Sequence, residues 1–477
     1  MVRNIIAVVK KTFRYSELIF EKRYINRIMK LYLESLGCAR NQVDSEIMTG
    51  RLKKAGWTIA ADPEEAETIV VNTCSFIEDA VQESIDVILE LAEYKKEGNC
   101  KRLVVTGCLP ERYREEILKS LPEVDVLLGT GAFDQIAKAV REPQYSHLCV
   151  LPDPELAVFQ PQDAPRDLAV PHVAYLKIAE GCSKACTYCI IPKLRGKQKS
   201  RPPEEIVSEA TKLIDNGVNE LVLVAQDTTA YGNDLPNRTN LSRLMENLAN
   251  IQIDDLGRTI PPWFRVLYGH PESIENSFIE ALASHSHLCS YFDIPVQHVS
   301  AEILKQMGRR YTKDDLYRLF DRIRDRVPDA VLRTTIIVGF PGETINDFEA
   351  LLQFVENVRF DHLGVFIYSD SDDLASHHLS NHIPKDVATD RYHQLMSVQS
   401  GISSENNRKY IGKAVKVLVE EFLDNHLFAG RTNFQAPEVD GLAYINTAKM
   451  PFGLKIGSFA DMRVTDAMEY DLMGEAI

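Results

Sequence analysis

The sequence is short of positive charge and of long apolar runs, and each shortage closes off a class of function. Lys and Arg number 54 against 69 Asp and Glu, a net charge of −15. Binding nucleic acid without regard to sequence requires clustered Lys and Arg that displace phosphate counterions. Broad nucleic-acid binding is therefore not expected, whereas a basic partner suits; acidity also serves solubility alone. No apolar run approaches the ~18 residues of a membrane span, so no membrane partner is expected. The run Ile5 to Val9 is shorter than the ~7–15-residue core of a secretory signal, and no small-residue cleavage site follows it. The expected location is the cytoplasm. Nine cysteines, an odd number, read in a reducing compartment as metal ligands, catalytic groups or core fillers rather than disulfides.

What is present is an ordinary globular composition, with 45% hydrophobic and 26% charged residues in 477 positions. At ~100–200 residues per domain this implies about three domains. Residues 1–29 are rich in Lys, Arg, Phe and Tyr without a period and read as an extension outside the fold. Residues 30–150 alternate strand-like runs (Leu31–Leu36, Thr68–Val71, Arg102–Thr106, Val124–Leu128) with helical stretches. Among the latter, Val81, Ile85, Ile88 and Ala92 share one helical face. Such alternation predicts a parallel α/β domain. Residues 151–171, with five prolines and no hydrophobic period, read as a linker.

Residues 172–405 carry six further strand candidates: Ala174–Ala179, Glu220–Val224, Phe264–Tyr268, Ser290–Ile294, Val331–Val338 and Leu363–Ile367. Six β/α units predict a partial (β/α)6 barrel, whose chemistry sits on loops after the strands. Residues 410–477 are β-rich (Ala414–Val419, Leu442–Tyr444, Phe459–Thr465) with turn signals between the runs. They predict a small β-barrel.

Cys182, Cys186 and Cys189 form C-x3-C-x2-C directly after a predicted strand. Four-iron clusters normally take four cysteines, so three local thiolates leave one iron open. An open iron is what radical chemistry from S-adenosylmethionine (SAM) requires. A zinc knuckle is the bland alternative, but it wants a fourth Cys or a His nearby, and the loop has none. Cys38, Cys74 and Cys108 each directly follow a strand of the first domain. In a parallel sheet they share the C-terminal edge, where α/β folds place ligands, and a second three-cysteine cluster fits. The alternative is three unrelated buried cysteines. Cys100, Cys149 and Cys289 lack such placement and read as core or surface residues. At barrel strand ends, Gln226, Asp227, Gly339 and Glu343 are candidates to hold a nucleoside and an amino-acid moiety; turn glycines and caps are the bland reading. No histidine ligand is proposed, and His377-His378 reads as a solvated loop.

From about residue 30 to its end the sequence resembles the methylthiotransferase family of radical-SAM proteins. The motifs are Ser35-Leu-Gly-Cys-Ala-Arg-Asn-Gln-Val-Asp-Ser-Glu46, Val71-Asn-Thr-Cys74, Thr106-Gly-Cys108, Glu180-Gly-Cys-Ser-Lys-Ala-Cys-Thr-Tyr-Cys-Ile-Ile-Pro192, Arg195-Gly196 and Ser200-Arg-Pro202. The resemblance implies an N-terminal methylthiotransferase domain, a radical-SAM barrel and a C-terminal TRAM β-barrel. It also implies two 4Fe–4S clusters, SAM and an electron donor. Ser75-Phe-Ile-Glu-Asp-Ala-Val-Gln-Glu-Ser84, Tyr175-Leu-Lys-Ile-Ala-Glu180, Gln226-Asp-Thr-Thr-Ala-Tyr-Gly232, Pro295-Val-Gln-His298 and Ala436-Pro-Glu-Val-Asp-Gly441 are closer to the RimO subfamily than to the MiaB subfamily. RimO proteins modify an aspartate of small ribosomal subunit protein twelve; MiaB proteins modify an adenosine in tRNA.

The resemblance therefore implies a SAM-derived radical that abstracts hydrogen from the aspartate β-carbon. Sulfur from the Cys38, Cys74 and Cys108 cluster then adds, and a second SAM supplies the methyl group. Residues 411–477 hold ten acidic residues against six basic, a net charge of −4, which suits a basic protein better than tRNA. A non-catalytic metal- or RNA-binding scaffold is the remote alternative. Where relatives carry Tyr-Ser-x-Glu-x-Gly-Thr, this chain reads Tyr368-Ser-Asp-Ser-Asp-Asp-Leu374.

Overall fold

Tight alternation of apolar residues builds the first sheet. The computed structural model describes residues 29–145, 147–156, 166–253, 257, 259–424, 426–448 and 453–477. The extension read over residues 1–29 lies outside them except for Met29, which opens the first strand. Strands β1 (Met29–Ser35), β2 (Trp57–Ile59), β3 (Thr68–Thr73), β4 (Arg102–Gly107), β5 (Val126–Leu128) and β6 (Leu148–Val150) form one parallel sheet in the order β2-β1-β3-β4-β5-β6. Along β3 and β4, Ile69, Val71, Leu103 and Val105 point to one face, where Val81 and Ile88 of the helix Glu78–Ala92 cover them. Val70 and Val104 point to the other, against Met48 and Leu52 of the helix Ala39–Lys54. Both faces are thus buried, as parallel sheets require. The sequence pattern missed β2 and β6, three-residue edge strands too short to show a period.

The second unit is the expected partial barrel. Strands β7 (Val173–Lys177), β8 (Ala179–Glu180), β9 (Lys199–Ser200), β10 (Glu220–Val224), β11 (Trp263–Val266), β12 (Tyr291–Asp293), β13 (Val331–Val338) and β14 (His362–Ile367) follow in chain order. β7, β10 and β11 pair in parallel, as do β12, β13 and β14, and a bridge from Phe264 to Leu288 joins the two sets. The run read as one strand, Ala174–Ala179, is split: β7 ends at Lys177, and β8 turns away to pair antiparallel with β9. The end of the predicted linker is anchored, since the buried Arg166 bridges Glu46 at 2.5 Å and Glu209 at 2.8 Å. A helix, Lys385–Arg408, runs past the expected domain end at 405.

Strands β15 (Ala414–Asp424), β16 (Leu427–Thr432), β17 (Ala443–Asn446), β18 (Phe459–Ala467) and β19 (Leu472–Ala476) close a barrel in the order β15-β16-β17-β19-β18. Its segment 431–440 seals the N-terminal ends of the partial barrel. Arg431 reaches Glu220 at 2.6 Å, Glu220 reaches Arg265 at 2.7 Å, and Arg265 donates to Asn433 O. Tyr291 donates to Asp440 at 2.6 Å, beside Arg333 and His362. The strand C-termini at the other end stay free for chemistry.

Candidate active site

Cys38, Cys74 and Cys108 sit at the C-terminal ends of β1, β3 and β4, three adjacent strands. Glycine at 37 is a steric requirement. Its φ is +90°, and a Cβ there would lie 2.6 Å from the Cys74 Cβ and 3.1 Å from its sulfur. The Cys38 loop therefore presses directly on Cys74. Asn41 donates to Leu36 O and Thr73 O, and Asn72 donates back to Asn41 O, stitching the two loops together. Ser84 both accepts from Cys74 N–H and donates to Cys74 O. Burial, with Cys108 and Cys38 close by, pushes the Cys74 thiol up to about 11. Burial also raises Cys108, against the pull of Arg195. At Cys38 burial is outweighed by Arg40 and Arg195, which lower its pKa. Three thiols in one another's field, two of them reluctant to ionise alone, fit a cationic metal group that would hold them as thiolates.

Cys182, Cys186 and Cys189 lie on the loop after β8. Thr187 N–H donates to Met307 O and its hydroxyl to Gln306 O at 2.8 Å. Tyr188 meets Phe340 edge-on and receives Arg309 at 2.7 Å. Gly308, with φ +77°, lets Ala185 O approach; a Cβ would stand 2.6 Å from that oxygen. Burial raises Cys182 and lifts Cys189 to about 12. A cleft of about 560 Å³ opens against Cys186 and Cys189, with Lys184, Lys193, Asp372 and His378 on its walls. The unusual loop Tyr368–Leu374 borders it. Asp373 of that loop pairs with Arg112 of the first domain at 2.6 Å and receives Lys193 on its carbonyl. Gly308→Ala is expected to shift the loop, at a cost of about 1–3 kcal/mol for a left-handed non-glycine residue. Lower iron per chain and slower SAM cleavage are the readouts; unchanged values would show that the loop tolerates the displacement.

Among the described residues no three His, Cys, Asp or Glu side chains are placed to hold one metal ion. A tetrahedral zinc site demands such convergence; cysteines that ligate separate irons of a cluster do not.

The strand tips supply the rest of the site. Gln226 donates to Glu180 at 2.6 Å, while its buried Oε1 has no hydrogen bond. Asp227 accepts from Thr229 and Ala230 N–H on Oδ1; its buried Oδ2 has no hydrogen bond and lies 3.9 Å from Lys184. His270 Nε2, Gln297 Oε1 and Arg309 Nη1 are likewise buried without hydrogen bonds. Buried polar atoms in native folds nearly always find partners, so this cluster at the barrel mouth fits a polar, zwitterionic ligand such as SAM. Tyr268 and Gln297 hold φ values of +64° and +65° there, the backbone strain that functional sites concentrate.

Gly339 and Glu343 lie on the loop after β13, and the buried Glu343 Oε1 likewise has no hydrogen bond. The Glu343 carboxylate accepts from Gly339 N–H and Phe340 N–H and lies 3.2 Å from Arg391, while Gly339 abuts Ala388. They shape the loop after β13.

Residues the sequence reading passed over join the two cysteine sites. Asp44 of the first domain pairs with Lys177 at 2.5 Å and Arg195 at 3.1 Å. Arg195 also bonds Asn41 at 2.6 Å, approaches the Cys108 sulfur at 3.6 Å and pairs with Glu180 at 3.0 Å. Glu180 lies two residues before Cys182. Burial would raise its pKa, but Arg195 and Lys177 hold it well below the carboxylate range. Asp44 lies inside the motif noted for Cys38 and Arg195 in the Arg195-Gly196 motif just after the Cys182 loop, and that was the available signal.

Comparisons with known proteins agree with this architecture. Family models match as Uncharacterized protein family UPF0004 over residues 30–129, the Radical SAM superfamily over 176–355 and the TRAM domain over 411–477. The chain is 51% identical to ribosomal protein uS12 methylthiotransferase RimO of Desulfosudis oleivorans, covering 94% of this chain and 100% of that one. It is 49% identical to the protein of that name in Clostridioides difficile, covering 94% and 99%. In fold it resembles the radical SAM methyltransferase TsrM of Kitasatospora setae, with a TM-score of 0.53 at 14% identity over 72% of this chain and 74% of that one. Radical-SAM membership implies a 4Fe–4S cluster and SAM. The chain belongs to the RimO methylthiotransferase family and is a radical-SAM enzyme that transfers a methylthio group.

Proposed function

We propose that the chain methylthiolates the β-carbon of an aspartate in small ribosomal subunit protein uS12, protein twelve of the subunit, in the cytoplasm. The supporting observation is the buried Asp44–Lys177–Arg195–Glu180 network, which runs from the Cys108 sulfur to the start of the Cys182 loop. It ties both cysteine triplets to one set of charges. When bound, a 4Fe–4S cluster on Cys182, Cys186 and Cys189 and a second on Cys38, Cys74 and Cys108 would supply reductive SAM cleavage and sulfur, with a second SAM as methyl source and a separate electron donor. The protein's own part is positioning. Arg195 and Asn41 fix the Cys108 side. Gln226, Asp227 and Lys184 present polar atoms at the barrel mouth. Gly339 and Glu343 shape the loop beside them.

The C-terminal barrel favours a protein substrate over tRNA. Glu420 is paired with Arg431, and the Asp440 side chain is buried beside Arg333. Neither faces a partner. Glu421, Asp424, Glu438, Asp461, Asp466 and Glu469 are exposed against Lys413, Lys416, Lys455 and Arg463, an excess of acid that suits a basic protein better than phosphate. The test is an anaerobic reaction of reconstituted protein with SAM, reductant and sulfide, offered a uS12 loop peptide or unmodified tRNA. Methylthio mass on the peptide aspartate is expected. Mass on tRNA would transfer the chemistry to the adenosine substrate, and tight, steeply salt-dependent tRNA binding would argue the same way.

A further inference from the structure

We propose that Arg40 binds the carboxylate of the substrate's target side chain and so selects aspartate; this deepens, and rests on, the reading that the substrate is an aspartyl residue. Arg40 stands two residues after Cys38, near the start of the helix Ala39–Lys54. It projects out of the first domain toward the barrel mouth. Its Nη1 donates to Ala225 O at 2.9 Å, the carbonyl just before Gln226 and Asp227. Its guanidinium lies 4.6 Å from the ring centre of Tyr268. It therefore spans the gap between the Cys38 triplet and the strand tips that carry the unpaired polar atoms.

What sets Arg40 apart is its charge. The cations around it each have a carboxylate: Lys177 and Arg195 share Asp44, Lys184 meets Glu272, and Arg333 meets Asp293. Among the described residues Arg40 makes no ion pair with a carboxylate, and the bond to Ala225 O is its one side-chain hydrogen bond. A guanidinium carries five N–H donors in a fork that matches a carboxylate, so most of its capacity is open. Arg309, a second cation with no carboxylate, is bonded to Tyr188 inside the Cys182 loop and belongs to that site. The fold also fixes the Arg40 platform. Tyr268 holds the left-handed φ of +64°, and Asp293 clamps its N–H at 2.9 Å. A bulky aromatic is rarely held in that conformation, and here it seats the guanidinium on an aromatic face.

The chemistry asks for such a group. The carbon to be modified is bonded to the side-chain carboxyl carbon, and the carboxylate is the one charged handle on that residue. A bidentate guanidinium would fix that handle and with it the orientation of the β-carbon hydrogens. Asparagine has nearly the same shape but no charge, so the interaction reads as discrimination between the two.

The test compares the reconstituted wild-type enzyme, Arg40→Met and Arg40→Lys on two peptides that differ only by Asp or Asn at the target position. Peptide affinity is read by fluorescence anisotropy, product by mass spectrometry, and cluster content as iron and labile sulfide per chain. Wild type is expected to prefer the Asp peptide in kcat/KM by on the order of 100-fold, the scale of losing hydrogen bonds to a charged group. Arg40→Met should bring that ratio close to one in both binding and turnover, with iron and sulfide at the wild-type level. Arg40→Lys should keep part of the preference. An unchanged Asp-to-Asn ratio in Arg40→Met would overturn the assignment. So would loss of iron and sulfide in that variant, which would make Arg40 a support for the cysteine site. Wild-type product on tRNA alone would remove the aspartate reading and this assignment with it, a result distinct from either failure in the variants.

Discussion

Cys74→Ala is expected to abolish methylthiolation of the uS12 peptide while leaving SAM cleavage, and Cys182→Ala is expected to abolish both. Cys74 sits between the other two thiols of its triplet. The Gly37 backbone presses on it, and Cys108 and Cys38 lie within its field. On the proposed assignment, removing its sulfur leaves the second cluster two ligands in place of three. The Cys182 loop, packed against Met307 and Phe340 in the barrel, is untouched by that change. On the proposed assignment Cys182 holds the cluster where SAM cleavage begins, so neither product is expected once it is lost. The assay counts 5′-deoxyadenosine and methylthiolated peptide in one reaction. Full product from Cys74→Ala would sink the assignment of a second cluster to Cys38, Cys74 and Cys108. Product from Cys182→Ala would sink the first.

The largest effect on stability is expected from Glu220→Ala. Glu220 and Arg265 are fully buried, and Arg431 is nearly so. Removing the shared carboxylate strands two guanidinium groups away from water. Breaking a buried pair in this way costs about 3–5 kcal/mol. Glu420 stays on Arg431, and the Tyr291 ring stays on Arg265, which places the result toward the lower figure. Glu220→Gln tests the charge separately, because the amide keeps the shape. Both variants should lower the midpoint of urea unfolding, and the C-terminal barrel should become the first region to exchange its amide hydrogens. Unchanged unfolding would show that the segment 431–440 is held by packing alone.

Acid should act in the same direction. Burial raises the Glu220 pKa, but Arg431 and Arg265 outweigh it and leave the folded-state value below the ordinary one. A depressed carboxylate stabilises the fold above its unfolded pKa, roughly 4.3 for Glu. That contribution is lost as pH falls from there through the folded value. Wild type should therefore lose stability on acidification below that range more steeply than Glu220→Gln.

Much of this protein was legible along the chain, and the reason is locality. The spacing of Cys182, Cys186 and Cys189 is a property of one loop. Cys38, Cys74 and Cys108 could be grouped because strands of a parallel sheet all end at one edge, so a cysteine after each strand lands beside its neighbours. Apolar runs such as Ile69-Val-Val71 announce buried strands for the same short-range reason. The pattern failed at β2, β6, β16 and β19, where strands are short or their turns lie within a barrel whose inward residues alternate with polar ones. At Glu343 the fold adds what spacing does not show: one carboxylate oxygen accepts from Gly339 and Phe340 N–H, while the buried Oε1 has no hydrogen bond.

What only the tertiary structure decided is which charges meet. Asp44 and Arg195 are 151 residues apart, and Arg431 and Glu220 are 211 apart. Nothing in either neighbourhood says that one carboxylate will be shared, or that Asp440 will seal the barrel instead of docking a partner. Arg40 lay in plain sight beside Cys38, yet its lack of a carboxylate is a fact about every other element at the barrel mouth. The chain by itself determined the cysteine sets, the order of domains and the class of chemistry, because those depend on spacing and period. The tertiary structure decided how one charge network joins the two cysteine sites and which cation at the barrel mouth has no carboxylate partner, because electrostatic pairing depends on distance in space and not along the chain.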